Sequence, residues 1–293
     1  AKKKIVRPVN EAAITADARG LLTTPYDMMI NHNMSFGTAT SCGVGFNETI
    51  VRARDPEGVM LTVGDIFDGK LVEKLDAIAA KWFPHRCKQL GLDATKALEE
   101  FGDTAPQFLK ACEHYRETIS PISDDAAVKR SKHVLFEGAQ GLLLDETRGW
   151  FPHVTRSTTG VRNALHIAGH LDHVFYVSRA YMTRHGCGPL PDETNLPHAK
   201  VIDETNITND YQGKLRFGRL NIHTLRDRIL LDGHGETFSS SIALTCLDQN
   251  NGGIEWRGLG NNLERGSPEA LISALGNVDI ASYGPSAKSV RFV

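Results

Sequence analysis

Long apolar runs are missing from the sequence. None approaches the ~20 residues needed to span a bilayer, so the chain reads as a protein without a membrane partner. An excess of either charge is also missing. Lys+Arg number 33 against 35 Asp+Glu, for a formal net charge of -2, which removes the global electrostatic case for nucleic acid as a partner. Cysteine is scarce and unpatterned. There are five, Cys42, Cys87, Cys112, Cys187 and Cys246, no two of them within four residues. That argues against a disulfide framework or a Cys-x-x-Cys zinc site and fits a reducing cytoplasm. Internal repeats and low-complexity tracts are absent. The N-terminal Ala-Lys-Lys-Lys-Ile-Val carries positive charge with no apolar stretch behind it, so it does not read as a secretory signal. There is no initiator Met, which fits processing or a chain that starts after its natural beginning. What is present is 293 residues, 41% of them hydrophobic, enough for one large domain or two modest ones.

Residues 65–118 read as helical. Apolar residues at 71, 72, 75, 78, 79 and 82 form one stripe of an amphipathic helix, and Asp103 is placed to cap another helix running to Tyr115. The second half changes character. His133-Val-Leu-Phe136, His173-Val-Phe-Tyr-Val177 and Ser241-Ile-Ala-Leu-Thr245 are short, apolar and bounded by polar residues or glycine, as buried strands are. Helical stretches, Val161 to His170 and His223 to Ile229, separate them. Alternating strands and helices predict an α/β fold with a mostly parallel central sheet flanked by helices. The expected organisation is a single domain over 1–293, with a helical subregion at 65–130 and a nucleotide-binding α/β part at 131–293. In such folds ligands bind at the carboxyl ends of the strands, so the segments after each strand are the candidates.

After the first comes Phe136-Glu-Gly-Ala-Gln-Gly, a glycine-flanked tip with Gln140, whose amide suits reading a base; a simple turn is an equal alternative. After the second, Thr183-Arg184 precedes a stiff Gly-x-Gly-Pro-x-Pro turn, a plausible holder of an anion, or else an ordinary loop with one surface Arg. Gln212-Gly-Lys-Leu-Arg-Phe-Gly-Arg219 concentrates guanidinium groups, which fork onto carboxylates or phosphates, although alone such a run is a weak signal. After the third strand, Asp248 could accept from a guanine edge or cap a turn, and Ala281-Ser-Tyr-Gly-Pro285 offers further groups for a base. His166, His170 and His173 share helical spacing but lack His-Glu-x-x-His, so surface histidines are the default reading.

Taken in order, these blocks resemble the adenylosuccinate synthetase family. Phe136-Glu-Gly-Ala-Gln-Gly, Leu144-Asp145 and Phe151-Pro-His-Val-Thr155 are similar to its Phe-Glu-Gly-Ala-Gln-Gly, Leu-Asp and Tyr-Pro-x-Val-Thr. Thr183-Arg-His-Gly-Cys-Gly-Pro-Leu-Pro191 resembles its Thr-Arg-x-Gly-x-Gly-Pro-x-Pro. Gly37 to Gly45 with Glu48 and Arg52, Val63-Gly-Asp-Ile-Phe-Asp68, and Ser282-Tyr-Gly-Pro285 resemble further blocks, so the likeness runs from about Ala16 to the C-terminus.

The resemblance implies a P-loop NTPase-related fold and a cytoplasmic, homodimeric ligase of purine biosynthesis. Such an enzyme joins aspartate to IMP with triphosphate hydrolysis, using Mg2+ and GTP. It implies that Thr40 holds the 5′-phosphate, that Arg52 reaches that phosphate across a dimer, and that Gln140 and Thr155 contact the same nucleotide. Arg216, in a loop closing on aspartate, with Thr183 and Arg184, would serve the amino acid. Asp248, Ser282 and Gly284 would bind the donor base.

The chain departs from the family in three places. The N-terminal Gly-Asp-Glu-Gly-Lys-Gly-Lys loop and a Gly-His-Thr are absent, and with them the expected catalytic Asp, which is also the magnesium ligand, and the catalytic His. The expectation is a fragment of a longer enzyme; a subunit completed by a second chain and a non-catalytic nucleotide-binding remnant are the alternatives. Thr245-Cys-Leu-Asp248 stands where the family has Asn-Lys-x-Asp, which opens ATP as donor. The aspartate segment is also shorter and less basic. These last two features resemble the phage branch that makes 2-amino-deoxyadenylosuccinate from dGMP.

Overall fold

The computed structural model describes residues 14–34, 41–194, 206, 208, 211–249 and 253–293. They divide into two compact units, one of 1–34 with 43–134 and one of 35–42 with 135–293.

The first unit is mainly helical: α1 (Pro25–Asn33), α2 (Phe46–Arg54), α3 (Val63–Phe67), α4 (Leu71–Ala77), α5 (Phe83–Leu90), α6 (Ala94–Phe101), α7 (Ala105–Thr118) and α8 (Asp124–Arg130). The strands β1 (Thr15–Asp17) and β2 (Ser120–Ile122) pair in parallel. Local chemistry fixes the helix starts. Thr24 and Asp27 form a capping box ahead of α1, with Pro25 in its first turn, and Thr62 and Asp65 form another ahead of α3. Asp103 falls one residue short of the expected cap. Thr104 holds that position, and the Asp103 carboxylate accepts the Ala105 N–H at 3.2 Å. Between α4 and α5 lies one wide π turn, Ile78–Trp82. Ile78 and Trp82 pack with Leu61, whereas Phe83 and Cys87 join Met29, Ile30 and Ala97 in a second cluster. Burial raises the Cys87 thiol to about 11.

The interior of this unit also holds an ion pair. Arg52 Nε and Nη2 donate to the two Asp27 carboxylate oxygens at 2.9 Å each, and neither side chain has any exposed surface. Thr24 adds its N–H and hydroxyl to the same carboxylate, and Arg52 also donates to the Leu22 and Val59 carbonyls. The guanidinium expected to reach a phosphate across a dimer is instead the centre of this unit's polar network.

In the second unit, a helix α9 (Arg162–Ala168) precedes β3 (His173–Arg179) and β4 (Tyr181–His185). Then come β5 (Leu215–Asn221), α10 (Ile222–Asp232), β6 (Ser239–Thr245), β7 (Ile254–Arg257), β8 (Leu263–Gly266), α11 (Pro268–Leu275), β9 (Val278–Ser282) and β10 (Val290–Phe292). One sheet has the order β10-β9-β6-β3, the last three strands mutually parallel; the other, mixed, has the order β4-β5-β7-β8. A single core joins them. It includes Ile242 and Leu244 of β6, Val278 and Ala281 of β9, Tyr181, Leu220 and Trp256 from the second sheet, and Leu271 and Leu275 of α11.

Two expected strands differ from the sequence reading. β6 is buried on both faces, as its apolar run implies. β3 lies at a sheet edge, and its outer residues Phe175 and Val177 are exposed. His133–Phe136 forms no strand: Leu135 is 91% exposed, and among the described residues no strand pairs with it. Without a ladder to satisfy its backbone, an apolar run stays irregular.

R52A strips the guanidinium from a buried carboxylate and is expected to cost about 3–5 kcal/mol. Urea unfolding of the variant measures it; a loss below ~1 kcal/mol would show that the pair adds little.

Candidate functional site

The three parallel strands end in register. Arg179 of β3 pairs with Thr245 of β6, and Leu244 with Ala281 of β9, so the loops after them emerge at one edge of the sheet. The Thr245 hydroxyl donates to the Ser178 carbonyl at 3.1 Å, tying the first two ends together. Cys246 takes a left-handed φ of 62°, turning the chain sharply so that Asp248 lies exposed at the tip. The Leu247 N–H donates to the Ser282 carbonyl at 3.2 Å, and the Ser282 hydroxyl to the Gly284 carbonyl at 3.0 Å. Asp248, Ser282 and Gly284, separated by up to 36 positions in the chain, are thus gathered in one place. The Tyr181 phenol donates to Gln249 Oε1 at 2.5 Å, adding the start of β4 to the group.

The segment carrying Gln140 and Thr155 is organised by two buried carboxylates. Asp145 accepts from the N–H groups of Thr147, Arg148 and Thr159, from the Thr147 hydroxyl and from Arg162. Burial pushes its carboxyl upward, but the donors of Thr159, Thr147 and Arg148 outweigh burial and hold it below the ordinary carboxylate value. Asp232, at the end of α10, accepts from Arg148 Nη1, the Val161 N–H and the Tyr176 phenol, each at 3.1 Å. Burial, with the Asp232 charge behind it, pushes the Tyr176 phenol well above its ordinary value. Gly160 passes so close that an added Cβ would lie 1.8 Å from Asp232 Oδ1, so no other residue fits without rearrangement. The Thr155 N–H donates to the Leu144 carbonyl at 2.8 Å, and the backbone at Gly138 lies against the Thr159 carbonyl. Gln140, exposed, falls between these two contacts.

The Thr-Arg segment meets this loop. Thr183 and Arg184 lie on β4, and Arg184 donates to the Cys187 carbonyl at 2.8 Å and to the His153 carbonyl at 3.0 Å. Gly188, with φ of 103°, passes within contact of Arg184 and His153, where a side chain would collide with both. Arg184 therefore holds the turn. Arg216 is a strand residue of β5, not part of a loop, and lies directly across from Arg184. It is paired with Glu193, and Arg219 with Glu255, so the basic segment is internally neutralised. Glu193 and Asp232 are the site's contributors that the motif reading passed over. Their only sequence signal is an acid near a glycine turn or helix end.

Thr40 lies outside the described residues. Arg52 belongs to the interior of the first unit. His173 Nε2 is 2.9 Å from the Ser241 hydroxyl, on β3, whereas α9 ends before His170; the three histidines form no cluster. Among the described residues no three His, Cys, Asp or Glu side chains are grouped to hold a metal ion, so no step is derived through magnesium. None of the five cysteines is disulfide-bonded. No described helix is long and apolar enough to cross a membrane.

A parallel sheet with ligand-type loops gathered at its carboxyl edge defines a nucleotide-binding class of α/β protein. The chain belongs to the adenylosuccinate synthetase family, whose model matches residues 8–253. Among curated relatives, adenylosuccinate synthetase of Xylella fastidiosa (strain M12) is 44% identical over 148 residues, 46% of this chain and 33% of the relative. That of Coxiella burnetii (strain Dugway 5J108-111) is 34% identical over 146 residues, 46% and 32%. The chain thus matches about a third of the length of these relatives. Among solved structures, fully ligated adenylosuccinate synthetase from Plasmodium falciparum superposes with a TM-score of 0.60 at 19% identity, over 92% of this chain and 75% of that one. Cyanophage S-2L succinoaminodeoxyadenylate synthetase, bound to dGMP and dATP as an energy donor, gives 0.53 at 14%, over 90% and 65%. At these identities the likeness is one of fold.

D145N removes the charge that four backbone and hydroxyl donors converge on and is expected to cost about 2–3 kcal/mol. Because the folded carboxyl is held below its ordinary value, its stabilisation is complete above the unfolded value of about 4 and fades as pH falls through the lower folded one. Wild type is therefore expected to lose stability more steeply below about pH 4 than D145N. Parallel acid titrations of the urea midpoint would show it, and equal slopes would contradict it.

Proposed function

We propose that this chain forms the nucleotide- and aspartate-binding part of an adenylosuccinate synthetase-type ligase. The observation that carries the reading is the convergence of Asp248, Ser282 and Gly284 at one sheet edge. Beside it is the contact between the Thr-Arg turn and the loop of Gln140 and Thr155, through Arg184 and His153. Asp248, with Ser282 and Gly284, offers acceptors for the base of a nucleoside triphosphate. Gln140 and Thr155 face a purine nucleoside monophosphate, with Thr40 assigned to its phosphate. Arg216 and Thr183, the turn held by Arg184, serve aspartate, whose carboxylates suit a guanidinium fork.

In the reaction so assigned, the purine 6-oxygen attacks the γ-phosphorus and the diphosphate leaves. The aspartate amine then adds at C6 and phosphate departs. Both steps ask the protein to position reactants and balance charge. None of this chain's residues is assigned as the acid or the base. The triphosphate would travel with Mg2+, and the working form would be a cytoplasmic homodimer, in keeping with the free thiols.

IMP with GTP is the first assignment. A second, dGMP with ATP, is favoured by Cys246, which stands where the family's motif has a lysine. Without that stem over the base, selection for guanine weakens. In a third reading the chain binds nucleotides without turning them over.

Calorimetric titration with IMP and with dGMP tests the site. Gln140→Ala is expected to weaken monophosphate binding roughly tenfold, the worth of one good hydrogen bond in a desolvated site; unchanged affinity would remove Gln140 from it. Phosphate release that requires aspartate, a monophosphate and a triphosphate together would separate the two enzymatic readings by substrate. No turnover with any combination would favour the binding-only one.

A further inference from the structure

Arg184 and Arg216 are direct cross-strand partners. Two like charges so placed repel, and burial together with the Arg216 charge pulls the Arg184 guanidinium below its ordinary value. Glu193 answers them. Its Oε1 accepts from Arg216 Nε at 2.8 Å and its Oε2 from Nη2 at 2.5 Å, a two-point fork. Arg216 Nη1 is turned the other way, onto the Gly186 and Gly188 carbonyls at 2.9 Å each. The carboxylate-binding edge of Arg216 is therefore filled from within the chain. The backbone is set for it: Glu193 bridges to Gly218, and the Thr194 N–H donates to the Phe217 carbonyl at 2.9 Å. The Glu193 side chain nevertheless remains 46% exposed, against 23% for Arg216, so it can leave for solvent without unpacking anything.

We infer that Glu193 is an internal stand-in for the substrate carboxylate, filling the Nε–Nη2 edge of Arg216 in the empty site and yielding it when a dicarboxylate arrives. The inference rests on the reading above, in which Arg216 grips aspartate, and it adds a residue that sets affinity and specificity. A ligand must supply a carboxylate good enough to displace one already in place. A dicarboxylate does so and leaves its second group toward Arg184, whereas a monocarboxylate merely exchanges like for like. Exposed ion pairs are weak, so the stand-in lowers affinity by only about two- to fivefold.

The test is calorimetry on the 293-residue chain, with monophosphate present and succinate or L-aspartate as titrant. E193Q is expected to bind either dicarboxylate about two- to fivefold more tightly than wild type. R216Q should bind neither, and the double variant should behave as R216Q does. Glu193→Ala serves as a second variant should the glutamine keep a hydrogen bond to Arg216. Unchanged or weaker binding by both Glu193 variants would overturn the inference, because it would make Glu193 a support for Arg216 and not its competitor. Failure of every variant to bind a dicarboxylate, while monophosphate still binds, would overturn it also. Loss of monophosphate binding throughout would instead strike the parent reading.

Discussion

Two carboxylates, Asp145 and Asp232, hold the candidate site in place. The loop between residues 138 and 162 has one short 3-10 turn, Leu142–Leu144, and otherwise relies on these two acceptors to satisfy its N–H groups. Arg148 spans them, giving its N–H to Asp145 and its guanidinium to Asp232. Because both carboxylates are nearly excluded from water, each bond lost would leave a charged group desolvated and unanswered. The loop is thereby fixed to the end of α10 and to Tyr176 of β3, and the residues it carries inherit the precision of the sheet.

The same economy governs the cations. Among the arginines read as ligand groups, Arg52 is paired with Asp27, Arg216 with Glu193, and Arg184 is spent on carbonyls. Buried or half-buried guanidinium groups are tolerated only with partners. What distinguishes Arg216 is the exposure of its partner. An arginine with an interior carboxylate on every side is architecture; one whose carboxylate stands in solvent is able to trade it. That contrast, more than the count of basic residues, locates the anion-binding end of the site.

Much of this was legible in the sequence where local pattern and structure agree. The β6 run is apolar on both faces and is buried on both; the helical half follows its stripe and its caps. Ordered motifs also led to the right loops, because glycine-bounded tips after strands are where a parallel sheet presents ligands. What was not legible depends on distant partners. Val134 and Leu135 look like a strand, but a strand exists only through a neighbour, and none is present among the described residues. Arg52 and Arg216 find their carboxylates 25 and 23 positions away, so the sequence could not tell which was structural. β3 read as buried because hydrophobicity reports composition, not position within a sheet.

The π turn at Ile78–Trp82 carries a consequence for how this chain tolerates length change. By widening one turn it lets the adjacent residues Trp82 and Phe83 point into different clusters, so one continuous rod stitches two small cores that neither flank could reach alone. Trimming a single residue there would tighten the rod to ordinary pitch and rotate everything beyond it by about 100°. Phe83 and Cys87 would swing off their cluster together. The bulge thus works as a phase adjuster, and a one-residue deletion at this point would be felt as the simultaneous loss of several core contacts.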